Sequence, residues 1–131
     1  MSEVAPDGSP VEAYRLLPHL GEIDLIADWL PQGAAVLVLG CGGGRLTAAL
    51  LERGHPVTAV EESEAMLGAA AERAPGATFI RARIEDLDVV PRFEVVLAAS
   101  HLLNERALRP GLLRTARRHV APGGRLLAEV Y

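Results

Sequence analysis

The sequence predicts an α/β domain with a doubly wound parallel sheet. Three observations carry that reading. Strand-like and helical patterns alternate along the chain, the first strand-like run (AAVLVLG, 34–40) is continuously apolar, and it ends in a glycine cluster that opens directly into a helix. A continuous apolar run marks a strand buried on both faces. Strands separated by helices imply βαβ units with right-handed crossovers.

Taken in order, residues 1–10 hold Pro6, Gly8, Ser9 and Pro10 and read as a mobile arm. Residues 11–30 carry a helical pattern, with Leu16, Leu17 and Leu20 on one face and then Ile23, Ile26, Ala27 and Leu30. Pro18 and Gly21 divide it into two helices. After the turn Pro31-Gln32-Gly33 and the first strand, Leu46, Ala49 and Leu50 mark a helix over 45–53 that Gly54 stops. PVTAV (56–60) is the second strand. Ser63 caps a helix through about Arg73, with Met66, Leu67 and Ala70 inward, and Pro75-Gly76 ends it. ATFIRA (77–82) is the third strand, followed by the short connection EDLDVVPR. FEVVLAA (93–99) is the fourth. A helix over 104–120 follows, broken near Pro110-Gly111, with Leu112, Leu113, Ala116 and Val120 on one face. Pro122-Gly123-Gly124 reads as a turn and RLLAEVY (125–131) as the fifth strand. The whole, residues 1–131, reads as one domain whose α/β core is 34–131.

Composition narrows the function. The chain of 131 residues fits a single domain. Half of it is apolar but only 4% aromatic, so the core is built from Leu, Val, Ala and Ile. A net charge of −4 leaves no electrostatic footprint for nucleic acid or anionic membrane. All thirteen cationic residues are Arg, which reads as codon usage and excludes a lysine Schiff base. Cys41 is the sole cysteine, so there is no intrachain disulfide and no cysteine-rich metal site. That suits a reducing cytoplasm. The acidic, polar N-terminus is neither a signal nor a transit peptide. No apolar run approaches ~18 residues, so no membrane span is expected.

The chemistry concentrates at Gly40-Cys41-Gly42-Gly43-Gly44. Glycine lets backbone pass close to a ligand and adopt positive φ. The free amides of the following helix start can receive polar ligand groups. In a doubly wound sheet this turn lies beside the ligand crevice. Glu61, 21 positions after Gly40, ends the second strand, where a carboxylate accepts both hydroxyls of a ribose. The pair points to an adenosine-type cofactor. The alternative is a tight turn with an exposed acid, but four glycines in five residues carry more backbone entropy than a mere turn needs. The dinucleotide fingerprint G-x-G-x-x-G does not fit: its third glycine falls on Arg45 or Thr47.

The stretch VLVLGCGGGRLTAALLERGHPVTAVEESEAML resembles motif I and its sequel in class I S-adenosylmethionine-dependent methyltransferases. RHVAPGGRLL (118–127) is similar to their motif before the fifth strand, and FEVVLAASHLL to their fourth. The likeness covers about residues 34–131. It implies a Rossmann-like core with strand order 3-2-1-4-5 and S-adenosyl-L-methionine as cofactor. It further implies that Gly40, Cys41, Gly42 and Gly44 form the turn around the methionine part, that Glu61 binds the ribose and that Met66 packs on the adenine. Arg83 and Ile84 would meet the adenine edge, and Ala99 and Ser100 would lie near the sulfonium. Two positions depart from the family pattern: its motif I acid maps to Val38, and the acid after the third strand maps to Arg83, with Glu85 or Asp86 as substitutes. The family also adds two strands after the fifth. Their absence implies a partial chain or a partner on that edge, and the fifth-strand edge is a candidate surface for self-association.

Other polar residues have plainer readings beside the functional ones. His101 is a candidate general base near the acceptor, though a structural or solvated histidine at a helix start is commoner. Asn104 and Glu105 read as helix-opening caps. Cys41 at a helix start reads as a small packing residue rather than a nucleophile. Tyr14 covers the cofactor or packs at the rim. Arg114, Arg117 and Arg118 read as a solvated helix face. The expected function is methyl transfer to a small-molecule acceptor. A non-catalytic cofactor-binding or interaction module and a nicotinamide-dependent dehydrogenase are the alternatives; the first is motivated by Val38 and Arg83, the second opposed by the missing third glycine.

Overall fold

The computed structural model describes residues 4–6, 11, 21–98 and 102–129. Among these, a short helix α1 (Glu22–Leu25) leads through a 3₁₀ turn, Ala27–Trp29, to β1 (Val36–Leu39). Then come α2 (Arg45–Glu52), β2 (Val57–Glu61), α3 (Glu64–Arg73), β3 (Thr78–Arg81), β4 (Phe93–Ala98), α4 (Arg109–His119) and β5 (Val120–Ala128). The five strands form one sheet in the order β3-β2-β1-β4-β5, every pairing parallel. The α/β class and the strand order are those the sequence predicts.

Strand β1 shows why the run 34–40 is continuously apolar. It lies between β2 and β4, with Val36 facing Val57 on one side and Val95 on the other. None of its residues is more than 2% exposed. Val36 and Val38 enter one core with Ile23, Leu46, Leu50 and Ala70, so α1, α2 and α3 cover that face. Leu37 and Leu39 enter the other with Phe93, Val96, Leu112 and Ala116, so α4 covers the second face. Each full burial of such a side chain contributes about 1.5–3 kcal/mol. Two ion pairs link α1 to α2 and its C-cap, Glu22 with Arg45 and Asp24 with Arg53.

Two expectations are corrected. The helix after β4 is not broken at Pro110-Gly111. It begins at Arg109, after a 3₁₀ turn at Leu102–Asn104, and Pro110 sits in its first turn, where a missing N–H removes no helical bond. Likewise, the strand does not wait for Arg125. β5 starts at Val120, and Pro122-Gly123-Gly124 is a bulge inside it: Phe93 pairs with Val120 and Val95 with Arg125. A β-carbon on Gly124 would stand 2.7 Å from the Glu94 carbonyl oxygen, so only glycine lets the bulge close on β4. β5 borders the sheet among the described strands, the place where a proline, which lacks an N–H, is best tolerated in a strand. Of the N-terminal helical stretch, residues 12–20, with Tyr14, lie outside the described residues. Ile23, Ile26 and Leu30 do face the core as their spacing predicts.

Candidate functional site

The end of β1 is held in place before any ligand is considered. Cys41 N–H donates to the Val60 carbonyl at 2.9 Å, and Gly44 N–H closes the turn on the Cys41 carbonyl at 3.0 Å. Gly40, Gly42 and Gly44 have φ of 67°, 53° and 89°, a region open to glycine and strained for other residues. Glu61 completes the arrangement. Its Oε1 accepts the Gly42 N–H at 3.0 Å and its Oε2 accepts the Ser63 N–H at 3.0 Å. The carboxylate is thus pinned against the glycine turn by both oxygens. An ionised carboxylate has about four lone-pair sites. Two are used, which leaves one on each oxygen for a diol.

The sequence-predicted residues separate into groups. Gly40, Cys41, Gly42, Glu61 and Ile84 converge: Ile84 Cδ1 lies 3.5 Å from where a β-carbon on Gly40 would be. Gly44 belongs to the turn but faces the other way, since a β-carbon there would meet Ala70 Cα at 2.9 Å. Met66 is 2% exposed beneath Ala5 and Val11, and its N–H donates to the capping hydroxyl of Ser63 at 3.2 Å. Arg83 is turned outward onto Glu85, Nη2 to Oε2 at 3.3 Å. Val38, at the family's acidic position, is buried among apolar side chains. Ala99, Ser100 and His101 lie outside the described residues.

Three features escaped the sequence. Leu102 stands over the turn, its Cδ1 2.9 Å from the β-carbon position of Gly40. Ser63, read only as a cap, also donates its amide to Glu61. Thr47, two residues into α2, has a fully buried hydroxyl without a hydrogen-bond partner among the described residues. The only available signals were that Leu102 is the first apolar residue after the predicted fourth strand (93–99) and that Thr47 is polar on a helix otherwise apolar inward.

Cys41 is buried at the turn, an environment that suits a packing residue and disfavours a thiolate. Burial, reinforced by the Glu61 carboxylate, pushes its thiol up to about 12, against a weaker downward pull from a backbone hydrogen bond. In the folded protein the sulfur therefore resists alkylation in mildly alkaline buffer and reacts only after denaturant is added. Measured labelling of the native state would contradict this. The sign for stability follows. The folded thiol keeps its proton while an unfolded one releases it above about 9, so stability falls as pH rises from there toward 12. Cys41→Ala lacks that component, which denaturant titrations at successive pH values would reveal.

Together the sheet order, the glycine turn at the end of its central strand and the pinned acid at the end of its neighbour define a nucleotide-cofactor-binding α/β domain. More narrowly, the chain belongs to the methyltransferase domain family, which matches residues 36–124. It is 34% identical over 102 residues to trans-aconitate 2-methyltransferase of Acidovorax sp. (strain JS42), covering 76% of this chain and 39% of that protein. To the cypemycin N-terminal methyltransferase of Streptomyces sp it is 31% identical over 129 residues, covering 90% of this chain and 53% of the relative. The glycopeptide N-methyltransferase MtfA complexed with S-adenosyl-L-methionine superposes with a TM-score of 0.70 at 30% identity, over 80% of this chain and 50% of that one. The chain thus spans about two-fifths to one-half of the length of these proteins.

Proposed function

We propose that this chain is the cofactor-binding core of an S-adenosylmethionine-dependent methyltransferase that acts on a small-molecule acceptor. The observation that carries the reading is Glu61, held by the Gly42 and Ser63 amides with a lone pair to spare on each oxygen. The donor set fits the cofactor. The carboxylate suits the ribose diol, the glycine-rich turn suits the methionine portion, and Ile84 with its backbone suits the adenine edge. When bound, the sulfonium supplies an already activated methyl group, so the protein's task is to orient the acceptor and exclude water. That MtfA carries S-adenosyl-L-methionine in the same fold supports the assignment. Ala99 and Ser100 are the residues that the family resemblance assigns to the sulfonium in this reading. His101 is the base candidate.

A cavity of about 380 Å³ supports a small acceptor. It is walled by Ile23, Trp29, Leu46, Leu97 and Leu127, joining the first turn of α2 to the end of β4. The trans-aconitate enzyme supports the same acceptor class by its name. One observation favours a second reading, a module that binds cofactor without transfer: Val38 places a buried apolar side chain where the family has an acid. Calorimetric titration with S-adenosylhomocysteine tests the cofactor. Methyl transfer to small carboxylic acids and amines then separates the two readings. No heat of binding at millimolar ligand would remove the proposal.

A further inference from the structure

Helix α4 does more than cover the sheet. Its buried face carries two polar residues, Thr115 and His119, both 0% exposed. Thr115 Oγ1 donates to the Ile84 carbonyl at 2.9 Å. Arg118 Nη1 donates to the Leu87 carbonyl at 3.0 Å. The Val89 N–H donates to His119 Nε2 at 3.1 Å, which puts the ring proton on Nδ1, 2.7 Å from the Thr115 carbonyl oxygen. Gly111, one turn earlier, lets the helix approach, because a β-carbon there would lie 2.9 Å from Glu85 Cβ. Residues 111, 115, 118 and 119 share one helix face, and that face grips the backbone from Ile84 to Val89.

Leu87 anchors the gripped segment in the core, with Ile84 and Val89 packed beside it, but its backbone has few hydrogen bonds of its own. It contains a single 3₁₀ turn, Ile84–Asp86, closed by Asp86 N–H to the Arg83 carbonyl and Leu87 N–H to the Ile84 carbonyl. Its first residue is Ile84, whose side chain reaches the space above Gly40. A helix needed only for packing would not require these polar groups, since Leu112 and Ala116 already bury α4 against the sheet. Hydroxyl, guanidinium and imidazole instead fix the position of a backbone segment whose first side chain, Ile84, lies against Gly40.

We infer that Thr115, backed by Arg118 and His119, is a positioning residue for the adenine side of the cofactor crevice. It acts through the Ile84 carbonyl without touching the cofactor. The inference rests on the cofactor reading proposed above.

Thr115→Val tests it, since valine keeps the shape and deletes the donor. Wild type and variant are titrated calorimetrically with S-adenosylhomocysteine and with its hypoxanthine analogue, S-inosylhomocysteine, and Tm is measured without ligand. S-adenosylhomocysteine affinity is expected to fall about three- to tenfold, the scale of one buried hydrogen bond. The preference for adenine over hypoxanthine narrows, and Thr115→Ser restores both. Arg118→Met, at an exposed position, gives a smaller loss in the same direction. A fall in affinity with unchanged base preference assigns Thr115 to packing alone and overturns the inference. So does unchanged binding in Thr115→Val or, where that variant does not fold, in Arg118→Met; in these cases wild-type binding leaves the cofactor reading standing. A wild type that binds neither ligand overturns both.

Discussion

Glu61→Gln is expected to weaken S-adenosylhomocysteine binding by about 2–3 kcal/mol, roughly 30- to 150-fold. The substitution nearly preserves volume but exchanges one acceptor oxygen for a donor NH₂. That group would face an N–H, of Gly42 or of Ser63, where each now has a carboxylate oxygen at 3.0 Å. One backbone amide loses its partner, the turn loosens, and a ribose hydroxyl loses a charged acceptor. Calorimetry measures the affinity, and circular dichroism on the same samples checks that the fold persists. Unchanged affinity would remove Glu61 from the site.

The second large effect concerns stability. Gly44→Ala places a methyl group 2.9 Å from Ala70 Cα and 3.1 Å from its Cβ, at a residue whose φ is +89°. The nearest obstacle is backbone, so α3 must move or the turn must change. A non-glycine residue in left-handed conformation costs about 1–2 kcal/mol, and overpacking adds about 1–3 kcal/mol. A loss of about 3 kcal/mol is expected, lowering Tm by roughly 10–15 °C for a domain of this size. Thermal unfolding followed by circular dichroism measures it. A Tm within a few degrees of wild type would mean that the α2–α3 approach is softer than the contact implies. Gly33→Ala is the control: its φ is also positive, but nothing lies within 4 Å of its β-carbon position.

Much of this was legible in the residues. The unbroken apolar stretch before Gly40 announces a strand with two buried faces, and the Val38 and Leu39 environments are what that pattern demands. Glu61 was legible because strand end and glycine turn are local features whose meeting follows from parallel pairing of neighbouring strands. What was not legible depends on distant contacts. Gly44 reads as part of a ligand turn, and only the packing of two helices shows that Ala70 claims the space. Pro122-Gly123-Gly124 carries turn chemistry, and only its place at a sheet border lets it remain strand. Arg118 is exposed as its reading predicts, but that pattern does not show that its guanidinium bonds the Leu87 carbonyl. Thr115 and His119 interrupt an apolar helix pattern, and nothing in that pattern says which backbone they meet.

The pairing of β1 has a consequence for how the chain acquires its shape. Val36 pairs with Val57 and with Val95, 59 positions downstream. The five described strands form no hairpin with one another, so none of them zips onto the next through a tight turn. Sequence-distant pairing of this kind is slow to nucleate. During synthesis, at about 5–20 residues per second, the segment Val36–Leu39 emerges seconds before β4. Until β4 arrives, its apolar side chains and one row of its peptide groups lack their native cover. A nascent chain halted before Phe93 should therefore be the species that chaperones bind and proteases cut, and one halted after Ala128 should escape both.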